Sequence, residues 1–112
     1  MASKSLAKKC DDLFSEVIRK RGKCERCGAK NVIFHCHHII SRSYRKVRFN
    51  LTNGSCLCAK CHFYIGLHPL EAEEFYTNKL GKETMKSLRI HALQYDKKLD
   101  YKEIILKLKE EL

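Results

Sequence analysis

The chain has 112 residues and a mass of 13.1 kDa; 44% of the residues are hydrophobic and 32% charged, enough for one small domain with a modest core. No apolar run approaches the ~20 residues of a membrane span, residues 1–9 lack an apolar signal core, and five Gly with one Pro exclude collagen-like and mucin-like chains. The expectation is a soluble, cytoplasmic protein. All of the formal charge of +10 lies in the front: residues 1–62 carry 14 Lys and Arg against 4 Asp and Glu, whereas residues 63–112 carry 9 of each. Charge concentrated in this way marks a surface for a polyanion, and nucleic acid comes first because no membrane-anchoring amphipathic segment accompanies it.

In chain order, Leu6, Cys10, Leu13, Phe14, Val17 and Ile18 form a helical stripe that predicts an amphipathic helix over 4–20, with Ser3 or Ser5 as cap and Gly22 past its basic last turn. Cys24-Glu25-Arg26-Cys27-Gly28 reads as a tight knuckle turn. Residues 32–40, rich in β-branched and aromatic side chains, read as a strand. A polar loop, 41–50, carries Arg42, Arg45, Lys46 and Arg48. Asn53-Gly54 is a turn signal, and a short strand follows it through Leu57. A helix over 59–67 then begins inside a second C-x-x-C. Pro69 opens the next helix, and residues 70–80, 83–98 and 101–111 read as three helices. Phe75, Tyr76, Leu80, Met85, Leu88, Ile90, Leu93 and Tyr95 are core or interface candidates there. The final stripe of Ile104, Ile105 and Leu108 either packs on the preceding module or pairs with a second subunit as a homodimer.

Seven cysteines, at 10, 24, 27, 36, 56, 58 and 61, are an odd number, and four of them form two C-x-x-C pairs. That pattern points to metal and not to disulfides. Cys24, Cys27, Cys58 and Cys61 supply four thiolates, a closed tetrahedral set suited to structural Zn2+. The 30 residues between the pairs must fold, and a hairpin is the simplest solution. Cys10 fits the buried stripe of the first helix and Cys36 and Cys56 the core side of the hairpin, while His35 reads as a packed strand residue, with a spare ligand as the alternative. His37-His38 lie at the end of the strand and His62 directly follows Cys61. Neighbouring strand residues face opposite sides, so one histidine of the pair can bind a cation while the other faces elsewhere. Two imidazoles leave most of a coordination sphere open, as catalytic metal sites do.

The series Cys24-x-x-Cys27, His37-His38-Ile39-Ile40, Asn53 and Leu57-Cys58-x-x-Cys61-His62 resembles the HNH endonucleases of ββα-metal fold, over residues 22–66. Ser41-Arg42 and Arg48-Phe49-Asn50 add a resemblance to the phage Rap/NinG-type recombination nucleases, which implies a phage-encoded protein in a bacterial host. The HNH resemblance implies that His37 and His62 ligate a catalytic divalent cation, that His38 is the general base, and that Asn53 holds the loop around His38 and fixes its ring. It also implies products with a 5′-phosphate and a 3′-hydroxyl. Many members have Asp where this chain has His37, which leaves Mg2+, Mn2+, Ni2+ and Zn2+ open as the working ion. Arg42, Arg45, Lys46 and Arg48, beside the histidines, are the candidates for phosphate contact. Asn53-Gly54 has the plainer reading of a turn.

The reading is therefore a single α+β domain over 1–112. It comprises an N-terminal helix (1–21), a zinc-stabilised ββα-metal, treble-clef-like core (22–67) and a helical extension (68–112). The expected activity is cation-dependent hydrolysis of DNA phosphodiesters. A non-catalytic zinc-binding treble-clef module that binds DNA is the alternative, and a zinc-stabilised protein-interaction domain is a third.

Overall fold

The protein's computed structural model describes residues 2–94 and 98–112. A helix, α1 (Ala2–Arg19), precedes a two-stranded antiparallel sheet of β1 (Phe34–His38) and β2 (Gly54–Cys58). Four helices follow: α2 (Ala59–Leu67), α3 (Pro69–Leu80), α4 (Lys82–Ala92) and α5 (Tyr101–Glu110). The architecture is α+β, with a ββα unit formed by β1, β2 and α2. Among the described residues no helix is long and apolar enough to cross a membrane.

The hairpin divides the core in two. In its register Phe34 pairs with Cys58, Cys36 with Cys56, His37 with Ser55 and His38 with Gly54. Alternation then sends Cys36 and Cys56 to one side, where they meet Phe14, Val17 and Ile18 of α1 and Leu108 of α5. Leu57 goes to the other side and packs with Cys61, Ile65, Tyr76, Met85 and Leu88 from α2, α3 and α4. Ile105 and Leu108 are buried, so α5 closes the face of α1 and the final stripe is a core element. Its cap is Asp100, whose Oδ1 accepts the Glu103 N–H at 3.1 Å.

Several expectations needed correction. The first helix begins at Ala2, which places Ser3 and Ser5 inside it and not at its cap. The strand predicted over 32–40 pairs only from Phe34 to His38, because β2 offers five residues between Asn53 and the second knuckle; Ile33, beyond the ladder, is 79% exposed. The turn signalled by Asn53-Gly54 is present and the strand follows it, but the turn lies before Gly54 and not on it. Asn53 ends a 3₁₀ turn (Leu51–Asn53), and Gly54 is extended at φ −101°. Glycine is required there for room: a Cβ would lie 2.5 Å from Ile18 Cδ1 and 2.9 Å from Phe14 Cζ. Helix α4 stops at Ala92, short of the 98 predicted, and Leu93 is exposed. Tyr95 lies outside the described residues.

Candidate metal centres and nuclease-type site

Two turns bring the cysteines together. Gly28, at φ 78°, closes the first knuckle, with its N–H on the Cys24 carbonyl at 2.8 Å. The second is the start of α2, where Cys58 Sγ takes the place of a capping oxygen and accepts the Cys61 N–H at 3.5 Å. The four sulfurs of Cys24, Cys27, Cys58 and Cys61 lie within 4.8 Å of one another, and all but Cys27 are buried. Burial alone would raise the Cys24 thiol, but backbone N–H groups, that of Cys27 foremost, outweigh it and favour the thiolate. Burial drives the Cys61 thiol the opposite way, with the Arg26 guanidinium, 3.4 Å from its sulfur, opposing the rise. Four such thiols cannot all ionise side by side without a cation among them, and the donor set suits zinc.

Glu25, which sequence reasoning passed over, fastens this knuckle to the sheet. Its N–H donates to the Cys56 carbonyl at 2.9 Å, and its carboxylate accepts the Cys56 N–H at 2.8 Å. The residue thus mimics a third strand along the outer edge of β2. Burial would raise its carboxyl, but the Cys56 N–H, Arg21 and Lys79 hold it below the ordinary range. A lone acid inside a basic knuckle was the only signal available for it.

The histidines separate as strand alternation requires. His37 faces α2 and α3: its ring lies 5.3 Å from that of His62 and stacks on buried Tyr76 at 5.9 Å. It borders a cleft of about 450 Å³ shared with Pro69, Tyr76 and Arg89. Burial, then the neighbouring His62 and His38, push His37 down to about 4. Burial also lowers His62, with His35 adding to the effect. Both rings are therefore neutral at pH 7, with lone pairs available to a divalent cation. His35 does not behave as an isolated strand residue, since its Nδ1 lies 2.9 Å from His62 Nδ1.

His38 occupies the other face, stacked on Phe14 at 5.0 Å. His38 thus stands apart from His37 and His62, and the third ring beside those two is that of His35. His38 Nε2 lies 2.9 Å from the Arg48 carbonyl. A carbonyl only accepts, so Nε2 carries the hydrogen and Nδ1 holds the lone pair. Burial lowers His38 and the Arg48 carbonyl opposes this.

Asn53 is fully buried and closes the loop between the strands. Its backbone carbonyl accepts the Ile39 N–H at 2.9 Å, and its Oδ1 accepts the Ile40 N–H at 2.7 Å. Its Nδ2 donates to the carbonyls of Ile40 at 2.9 Å and Val47 at 3.2 Å. The side chain thereby continues the ladder past the end of β1, on the residue that precedes β2. It holds the backbone on either side of the basic loop, and the carbonyl of Arg48, not Asn53, meets the His38 ring.

The basic loop is less uniform than its sequence. Arg48 donates through Nε and Nη2 to Asp11 of α1, and Arg42 donates to the same carboxylate at 3.0 Å. Arg48 is half-buried and acts as a clamp between loop and helix, whereas Arg42 keeps most of its side chain in solvent. Arg45 reaches the Tyr101 hydroxyl at 3.4 Å. Val47 anchors the loop in the core, and Lys46 beside it is half-buried. Asp11 was not foreseen, because an acid on the polar face of a helix carries no signal of its distant partner.

Residues 24–63 match the family model described as HNH endonuclease. No curated protein and no solved structure matches the chain. The matched segment starts at the first cysteine of the knuckle, ends one residue past His62, and contains every histidine and cysteine of the two centres. Residues 24–63 are thus similar to the HNH endonucleases, and helices α1, α3, α4 and α5 lie outside the match.

Proposed function

We propose that the protein is a metal-dependent endonuclease that hydrolyses DNA phosphodiester bonds. The observation that supports this best is the paired presentation of His37 and His62, neutral and adjacent on one face of an HNH-type domain, with His37 bordering an open cleft. The two imidazoles fit a divalent cation, which when bound would neutralise charge developing on the phosphate oxygens. The sulfur cluster would hold a structural Zn2+ that sets the start of α2 and with it His62.

In this reading His38 is the general base. The Arg48 carbonyl fixes its tautomer, so that Nδ1 is the nitrogen able to take a proton from the attacking water. Asn53 keeps the loop closed, and so keeps that carbonyl in place. Arg42, Arg45 and Lys46 face the phosphate backbone, while Arg48 serves through Asp11 and its own carbonyl. The concentration of charge in residues 1–62 supports a DNA partner.

The test is cleavage of supercoiled plasmid by zinc-loaded protein with Mg2+, Mn2+, Ni2+ or Zn2+, with an EDTA control and the His38→Ala variant. Nicking that requires the cation and falls about 100-fold or more in His38→Ala is the expected result. DNA binding without cutting of plasmid or four-way junction, under every ion, would overturn it in favour of a non-catalytic DNA-binding module.

A further inference from the structure

His35 makes the closest approach in the histidine cluster, yet the reaction described above gives it no task. We propose that His35 is a positioning residue for His62: it accepts a hydrogen bond from His62 Nδ1–H and so presents Nε2 of His62 as the cation-binding nitrogen. This rests on the reading of His62 as a ligand.

The geometry separates a hydrogen bond from shared ligation. The two Nδ1 atoms are 2.9 Å apart, and the ring centroids 5.1 Å apart. The centroid distance is close to the nitrogen separation plus the two ring radii, so the nitrogens point at one another head-on. Two imidazoles that share a cation head-on need about 4 Å between their nitrogens, since each bond takes roughly 2.0–2.1 Å. The separation is that of an N–H···N hydrogen bond. Such a bond needs one hydrogen and one lone pair. A neutral His62 whose Nε2 binds a cation carries its hydrogen on Nδ1, which makes His35 the acceptor.

Both partners stand on fixed backbone. His35 is paired within the ladder opposite Leu57, which is fully buried. His62 lies in the first turn of α2, whose start is held by Cys58 and Cys61. A hydrogen bond between two such anchored rings sets both the tautomer and the orientation of the ligand, as partners of metal-bound histidines do.

Mn2+ is the probe. Calorimetry on zinc-loaded protein compares the wild type with His35→Phe, which keeps a ring without nitrogen, and with His35→Asn, whose amide oxygen can accept in place of Nδ1. The expected result is Mn2+ binding weakened about 10–100-fold in His35→Phe and largely restored in His35→Asn. Long-range 1H–15N spectra of the Mn2+-free, zinc-loaded wild type should show His62 protonated on Nδ1. A wild-type His62 protonated on Nε2 would overturn the proposal whether or not any variant folds. So would unchanged Mn2+ affinity in His35→Phe while His62→Ala loses it, an outcome that leaves His62 standing as a ligand. Unchanged affinity in His62→Ala would instead remove the cation reading and this inference with it.

Discussion

Cys61 and His62 are neighbours on one helical turn, yet they belong to centres built on opposite lines. Around Cys61, four sulfurs converge within 4.8 Å, three of them buried, and the approach is tied down by backbone N–H groups, Arg26 and Glu25. Around His62, three rings meet without closing: His37 contacts it edge to face and borders a cleft, and His35 meets it nitrogen to nitrogen. A closed set of soft donors stabilises a fold, because every coordination position is filled by the chain. An open pair of neutral imidazoles contributes little to folding, and in the proposed function it would leave positions for an ion and what that ion acts on. The difference teaches why the two centres adjoin. A two-stranded sheet is too small to aim an imidazole by packing alone, and the knuckle supplies the rigidity that the small core lacks.

The largest effect is expected at the cysteines. Cys58→Ser should abolish the cooperative unfolding transition, since a structural zinc in so small a domain contributes about 10 kcal/mol or more. Circular dichroism on heating checks this, and a Cys58→Ser protein that melts within a few degrees of the wild type would place the two centres on one footing. A smaller loss is expected at Asn53, which belongs to the histidine side but is built like the cysteine side. Asn53→Ala removes three side-chain hydrogen bonds from a buried site and should cost about 3 kcal/mol in urea unfolding. A cost below about 1 kcal/mol would mean that Val47 alone holds the loop. Least affected should be His62→Ala, whose stability is expected to stay within about 1 kcal/mol of wild type by the same measurement. A loss as large as that of Asn53→Ala would make the imidazoles structural, and the distinction between the centres would fail.

Much of this was legible before any coordinates. Spacing alone identified the four cysteines, because two C-x-x-C pairs are local turns whose geometry travels with their residues. Strand alternation separated His37 from His38 for the same reason, since a period of two is a property of the extended backbone. The residues that escaped are those whose meaning lies in a distant partner. Asp11 reads as surface until Arg42 and Arg48 arrive from the loop, and Glu25 reads as a stray charge until it lies along β2. Arg48 reads as a phosphate contact until half-burial and Asp11 make it a clamp.

Gly54 and His35 mark the boundary between the two kinds of knowledge. After Asn, glycine signals a turn because its backbone freedom is intrinsic; here the backbone is ordinary and the missing Cβ is what α1 requires. His35 reads as a packed strand side chain or a spare ligand, and only the docking of α2 on β1 brings its nitrogen to that of His62. Patterns that are local in the chain were enough for the helices, the two knuckles and the four-cysteine set. Tertiary structure decided which donors close on one another and which stay open, because that depends on separations set by elements far apart in sequence.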